Sequence, residues 1–217
     1  MAQNLISQAL SVHSSSMCGR YYIAPEDGVE ELENIRRYID SRYGEQESKK
    51  LAQGEIFPSN YVPVVLTHAD GFIARPMTWG FPGFKGSQLL INARSETVIE
   101  KVTFRDAVRK TRCLIPMTGF YEWSHDERGK ALDKYLFTDP EHHMLYLGGI
   151  YKEFDDGPRF VILTTASNPS IADIHHRMPL AIGQEQLRDY IDSDEAALSM
   201  ILGDGEEKGP KWSRIKV

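Results

Sequence analysis

An α+β fold, built as a single domain on a mostly antiparallel β-sheet or barrel with flanking helices, is predicted by three observations on this 217-residue sequence. Short strand-like runs are numerous, helical spacing is confined to a few segments, and no βαβ rhythm connects the two. No internal repeat or linker divides the chain, and its length is enough to bury a sizeable core. Residues 1–16 (MAQNLISQALSVHSSS) stand apart: rich in Ser, Gln and Ala and lacking periodicity, they are expected to be disordered or removed. The domain is therefore placed at 17–217.

The elements follow in order. Met17 to Ile23 opens an apolar, aromatic strand, and Val29, Leu32, Ile35, Ile39 and Tyr43 recur at helical spacing across about 26–43. Residues 44–55 form a charged loop. Val62–Leu66 and Phe72–Arg75 flank His68-Ala69-Asp70-Gly71, whose Asp-Gly end signals a hairpin. A helix is predicted around 96–110, followed by strands at 112–116, 135–137, 144–147 and 159–164. Two late helices, near 169–175 and from about 184 to 202, precede a final strand at 212–216.

Composition narrows the function. The formal net charge is −6, so any nucleic-acid site must be a local basic groove on an acidic body. No apolar run approaches the ~20 residues that span a bilayer, and the first sixteen residues make a poor secretory signal. The two cysteines, Cys18 and Cys113, form no CxxC pair and no disulfide framework. These features point to a reducing compartment, cytoplasmic or, in a eukaryote, nuclear. No HExxH, paired CxxC, Walker or dinucleotide glycine pattern is present, so no metal and no cofactor is implied.

Four segments place reactive side chains in apolar surroundings: Met17-Cys18-Gly19-Arg20, Asn92-Ala93-Arg94-Ser95-Glu96, Gly119-Phe120-Tyr121-Glu122-Trp123 and His175-His176-Arg177-Met178-Pro179. Singly, each has a plain structural reading: a small buried Cys, a helix cap with a surface Arg, a Glu facing water, a turn His. Physics alone takes the set no further than a Cys–His–Glu site.

In combination and in this order, the four segments resemble the SRAP family, named for SOS-response-associated peptidase. Connecting matches lie at Phe57-Pro58-Ser59-Asn60, Trp79-Gly80, Phe104-Arg105, Arg112–Pro116 and Lys134-Tyr135. The resemblance implies removal of the preceding Met, so that Cys18 becomes residue one, and covalent attachment to abasic sites in single-stranded DNA. The chemistry is coherent: an N-terminal Cys is a 1,2-aminothiol, and a ring-opened abasic deoxyribose is an aldehyde. An α-amine titrates near ~7.7–8.0, so a neutral fraction is present to form an imine, which the thiol then closes to a thiazolidine. If residues 1–16 stay attached, that nitrogen is an amide and the route is closed.

The resemblance also assigns roles. Asn92 orients the amine or a sugar hydroxyl, and Glu122 accepts a proton from, or positions, the amine and thiol. His175 is the acid–base group on the sugar ring oxygen; the His-x-Arg-Met-Pro pattern selects it over His176. Arg20 and Arg94 lie two residues beyond Cys18 and Asn92, the same face of an extended strand, and are candidates for phosphate contacts. Trp79 and Phe81 are candidates for stacking on bases, with a core role for Trp79 as the rival reading. The partner expected is single-stranded DNA containing abasic sites, with the protein acting as a monomer. Two other functions fit the same residues: a cysteine peptidase or self-cleaving protease using Cys18 and His175, and a non-covalent single-stranded DNA-binding module.

Overall fold

A computed structural model describes residues 18–25, 29–69, 71–83, 88–203 and 209–217. The 1–16 segment, Met17 and Asp70 of the hairpin turn lie outside the described residues. In chain order the elements are β1 (Arg20–Ile23), α1 (Glu30–Tyr43), α2 (Glu45–Ser48), β2 (Gly54–Ile56), β3 (Tyr61–His68), β4 (Gly71–Trp79), β5 (Phe81–Pro82), β6 (Leu89–Leu90) and β7 (Asn92–Arg94). There follow α3 (Ala107–Lys110), β8 (Arg112–Met117), β9 (Gly119–His125), β10 (Ala131–Thr138), β11 (Leu145–Phe154) and β12 (Gly157–Ala166). The chain finishes with β13 (Arg177–Pro179), β14 (Ala181–Ile182), α4 (Leu187–Asp192), α5 (Asp194–Leu202) and β15 (Ser213–Lys216).

The fold is α+β with mostly antiparallel sheets, as the sequence predicts. Strands β12, β4, β3, β8 and β11 pair in turn, and β11 pairs back to β12, closing a five-strand ring. Its seam includes a parallel pair, β12 with β4, where Phe160 lies opposite Trp79. Closure covers both faces of these strands, which explains why Arg112–Met117 is buried at every position and Val62–Leu66 reads as a continuous apolar run. A second sheet, in the order β15-β10-β9-β1-β2, is antiparallel throughout. Tyr21 of β1 meets the Trp79 ring edge-on at 5.3 Å, while Trp79 stacks on Phe160, so three buried aromatics join the two sheets.

Helix α1 buries Leu32 and Ile39, packs on β4, and stops at Gly44, whose φ of 90° suits glycine. The predicted 44–55 loop contains α2 and β2. The predicted 96–110 helix is instead a 3₁₀ turn at Ser95–Thr97, a run of turns, and the single helical turn α3. Its centre, Lys101-Val102-Thr103, places two β-branched residues together, which disfavours a continuous helix. The predicted 169–175 helix is a series of turns, begun where the Asn168 side chain accepts hydrogen bonds from the Ser170 amide (3.1 Å) and hydroxyl (2.6 Å). Ser193 splits the predicted 184–202 helix, because its hydroxyl caps α5 by accepting from the Ala196 amide at 3.2 Å.

Candidate active site

The site forms where the start of β1 meets β9. Cys18 is buried and has φ of 46°, a left-handed conformation that costs a side-chain-bearing residue energy and is kept only where surrounding contacts hold it. The holding contact is specific: the Cys18 backbone nitrogen donates to Glu122 Oε1 at 2.5 Å, across 104 residues of sequence. Glu122 points inward from β9, on the same side as Phe120, whereas Tyr121 and Trp123 face outward.

Burial dominates the electrostatics of this pair. Desolvation raises the Glu122 carboxyl to about 7, against the smaller, opposing pull of its hydrogen bonds to Cys18 and to the Trp123 backbone. The Cys18 thiol is pushed well above its ordinary value, chiefly by burial and then by the Glu122 charge and hydrogen bond; Arg177 pulls the other way. At rest the sulfur is therefore a thiol, with a carboxyl group beside it that changes charge near neutrality.

His175 is half-buried, while His176 is exposed and stacks on it with ring centroids 4.5 Å apart. The His175 Nδ1 lies 3.2 Å from both the amide and the carbonyl oxygen of Arg177, accepting from the first in one tautomer and donating to the second in the other. Burial lowers its pKa, helped by His176, His125 and Arg177, so the neutral imidazole prevails at neutral pH.

Asn92 and Arg94 share one side of β7, with Ala93 buried on the other, and β7 runs parallel to β12 from Ile162 to Thr164. Arg177 binds this region to β13. Its guanidinium donates to both carboxylate oxygens of Glu96, to the Thr164 carbonyl at 2.7 Å and to the Thr164 hydroxyl at 3.3 Å. Arg177 and Glu96 were not singled out from sequence, although each lies inside a quoted motif. The spacing that pointed to His175 and Asn92 contained them too.

A matching family model covers residues 17–216: SOS response associated peptidase, or SRAP. The chain belongs to the SRAP family. Among SRAP relatives, the abasic site processing protein YoqW of Bacillus subtilis is 27% identical over 187 residues, spanning 81% of this chain and 80% of its own. Abasic site processing protein YedK of Escherichia coli is 25% identical over 183 residues, spanning 81% and 79%. A crystal structure from Bacteroides thetaiotaomicron superposes with a TM-score of 0.67 at 22% identity and covers 92% of each chain, which establishes the shared fold.

Within this SRAP fold, the two expected stacking residues prove buried, and Arg20 lies on a different face from the one expected. Trp79 is fully buried, with its Nε1 donating to the Ile91 carbonyl at 2.9 Å, and Phe81 is buried against Phe104 and Phe154. Neither ring presents a face to a base; both are core residues. Arg20 does not share a face with Cys18, because the left-handed turn at residue 18 breaks strand alternation. Its guanidinium lies on the outer face of the sheet, 3.2 Å from Glu55 and over the Phe57 ring at 3.9 Å. Arg94 remains exposed on the Asn92 side.

Phe57 is exposed and Trp123 half-exposed on the sheet that carries Cys18 and Glu122, and Lys134 lies over Trp123 at 5.5 Å. Sequence held a signal for them: Trp123 follows Glu122 directly, so alternation turns it outward when Glu122 turns in.

Proposed function

We propose that the protein processes abasic sites in single-stranded DNA by forming a covalent bond through the free N-terminal amine and thiol of Cys18. The observation that carries this reading is the 2.5 Å contact between the Cys18 nitrogen and the buried Glu122 carboxylate. A catalytic carboxyl group beside a backbone nitrogen has little to do if that nitrogen stays an amide. Beside an α-amine, it has a proton to manage.

The steps balance without a cofactor. Glu122, as carboxylate, takes a proton from the Cys18 ammonium, and the amine adds to the aldehyde carbon of the opened sugar. The carbinolamine loses water, assisted by proton return from Glu122, to give the imine. The thiol then adds to the imine carbon, its proton passing to nitrogen, and the ring closes; the adduct weighs the sum of the reactants less one water. His175, neutral and half-buried, serves in this reading as the acid–base group on the sugar ring oxygen during opening. Asn92 and Arg94 fall on one side of β7, which suits contacts to the sugar and an adjoining phosphate.

A cysteine peptidase needs a thiolate, which an electropositive, partly exposed setting favours. The buried Cys18 thiol beside a carboxylate has its pKa raised, which favours amine-first chemistry over that alternative. The deciding experiment is intact mass spectrometry after reaction with an abasic single-stranded oligonucleotide. Protein beginning at Cys18 is expected to give an adduct that survives denaturation. Protein retaining residues 1–16 and Cys18→Ser should give no durable product. A stable adduct whose mass still includes residues 1–16 would overturn the amine mechanism.

A further inference from the structure

The outer face of the five-strand sheet gathers charges that the chemistry above does not use. Register places Glu55 of β2 opposite Tyr22 of β1, Arg20 opposite Tyr121 of β9, and Trp123 opposite Lys134 of β10. Four adjacent strands thus present Glu55, Arg20, Tyr121, Trp123 and Lys134 on one side. Both oxygens of Glu55 are occupied: Lys134 Nζ donates to them at 2.8 and 2.7 Å, and Arg20 Nη1 donates to Oε1 at 3.2 Å. Each cation also lies over aromatic rings, Arg20 over Phe57 at 3.9 Å and Lys134 over Tyr121 at 4.0 Å.

One carboxylate therefore serves two cations whose stems and heads are fixed by flat rings. Side-chain exposures of 33%, 26% and 27% for Arg20, Lys134 and Glu55 leave all three reachable from solvent but not freely solvated. The geometry is the one in which a guanidinium and an ammonium receive a phosphate: two oxygens of one anion facing two cations, with aromatic surface beside them for bases. On a chain of net charge −6, these are cations worth keeping in place.

We infer that Glu55 is an internal counter-anion standing in the place of a nucleic-acid phosphate, and that a single strand engages Arg20 and Lys134 by displacing it. The inference rests on the DNA-processing reading and deepens it, since Glu55 then sets how weakly the protein holds undamaged strands. Glu55 is a specificity-determining residue in this view, acting through Arg20 and Lys134. It holds both side chains in position at the cost of competing with the ligand.

The test is equilibrium binding of the full chain to an undamaged single-stranded oligonucleotide across a salt series, so that the readout is independent of covalent chemistry. Glu55→Gln keeps the shape and removes the charge. Taking an exposed ion pair as typical, it should tighten low-salt binding by about 1.4-fold to fivefold. It should also steepen the slope of log K against log salt by about 0.7 for each cation released to phosphate. Glu55→Asp retains the charge and should keep the wild-type slope, and thermal midpoints of both variants verify the fold. Unchanged or weaker binding by Glu55→Gln with an unchanged slope overturns the inference and leaves Glu55 as a prop for the sheet. If Arg20→Ala and Lys134→Ala both leave binding and slope unchanged, the ledge is off the DNA path and the inference fails. Crosslinking to abasic DNA would in that case still stand, so the two failures are distinct.

Discussion

The inner and outer faces of the β15-β10-β9-β1-β2 sheet hold a carboxylate in opposite ways. Inside, Glu122 is buried, is held by a hydrogen bond from the Cys18 nitrogen among others, and has its pKa raised by desolvation to about 7. Outside, across the sheet, Glu55 is part-exposed and takes three hydrogen bonds from two cations. The first arrangement costs stability and yields a group that moves a proton near neutral pH. The second costs little, and its attraction is tuned by solvent and salt. On the proposed function, the difference teaches where each task belongs: proton chemistry in the dry layer, strand capture in the wet one.

The strongest way to break that comparison is to neutralise the inner carboxylate. Glu122→Gln in protein beginning at Cys18 is expected to slow crosslinking by about 10²- to 10⁴-fold, the usual loss of a general acid–base group. In the chain carrying an amide at Cys18, the same change should stabilise the fold at alkaline pH. The sign follows from the raised pKa: the folded state binds the proton more tightly than the unfolded one, so wild-type stability falls as pH rises from about 4.5 to about 7. Gln carries no such charge, and at 1.36 kcal/mol per unit the gain at pH 8 is on the order of 3 kcal/mol. Thermal denaturation at pH 5 and pH 8 measures it. A variant equally stable at both, relative to wild type, would show that Glu122 is not desolvated.

The second test separates neighbours. His175→Ala should slow crosslink formation or reversal markedly, and His176→Ala should change either little, because only the half-buried ring is fixed by the Arg177 backbone. Rates showing the larger defect in His176→Ala would reverse the assignment.

The third contrasts two tryptophans. Trp79→Ala opens the joint between the sheets and should cost about 3–5 kcal/mol in denaturant titrations. Trp123→Ala should leave stability nearly intact and weaken single-strand binding by about 1–3 kcal/mol, the value of one stacked base. Wild-type affinity in Trp123→Ala would remove stacking from the outer face.

The smallest effect is expected at Arg94. Replacement by Ala should lower the salt slope of single-strand binding by about 0.7, regardless of sequence, as for one lost phosphate contact. A drop in affinity with no change in slope would mean that the contact is not ionic.

How far the sequence reached differs between the same two faces. The α+β class, the β3–β4 hairpin and the strands β8, β10, β11 and β12 were legible, since alternation and apolar runs are local signals. So was the pairing of Cys18 with Glu122 within one site, through the family's motifs. The Trp79 and Phe81 assignments failed because an aromatic next to glycine reads alike whether it faces solvent or core. Only closure of the β12–β4 seam decides that, and a seam between residues 79 and 160 has no local signature. Arg20 was misplaced for a smaller reason: alternation was extended through Cys18, and one left-handed residue cancels it. Glu55 and Lys134 went unnoticed because their meaning lies in the lateral order of β2, β1, β9 and β10, which is not the order of the chain.

The contact between Cys18 and Glu122 closes a loop of 104 residues, and the Arg177–Glu96 pair closes one of 81. Closing such loops costs entropy before any contact repays it, and long-range pairings of this kind set the pace of folding. The Cys18–Glu122 pair is therefore assembled only in the finished fold. A nascent or half-folded chain carries the same cysteine without the carboxylate beside it. On the proposed chemistry, the terminus lacks its carboxylate's acceleration toward aldehydes during synthesis, and the faster reaction returning after denaturant is removed would time the last step of folding.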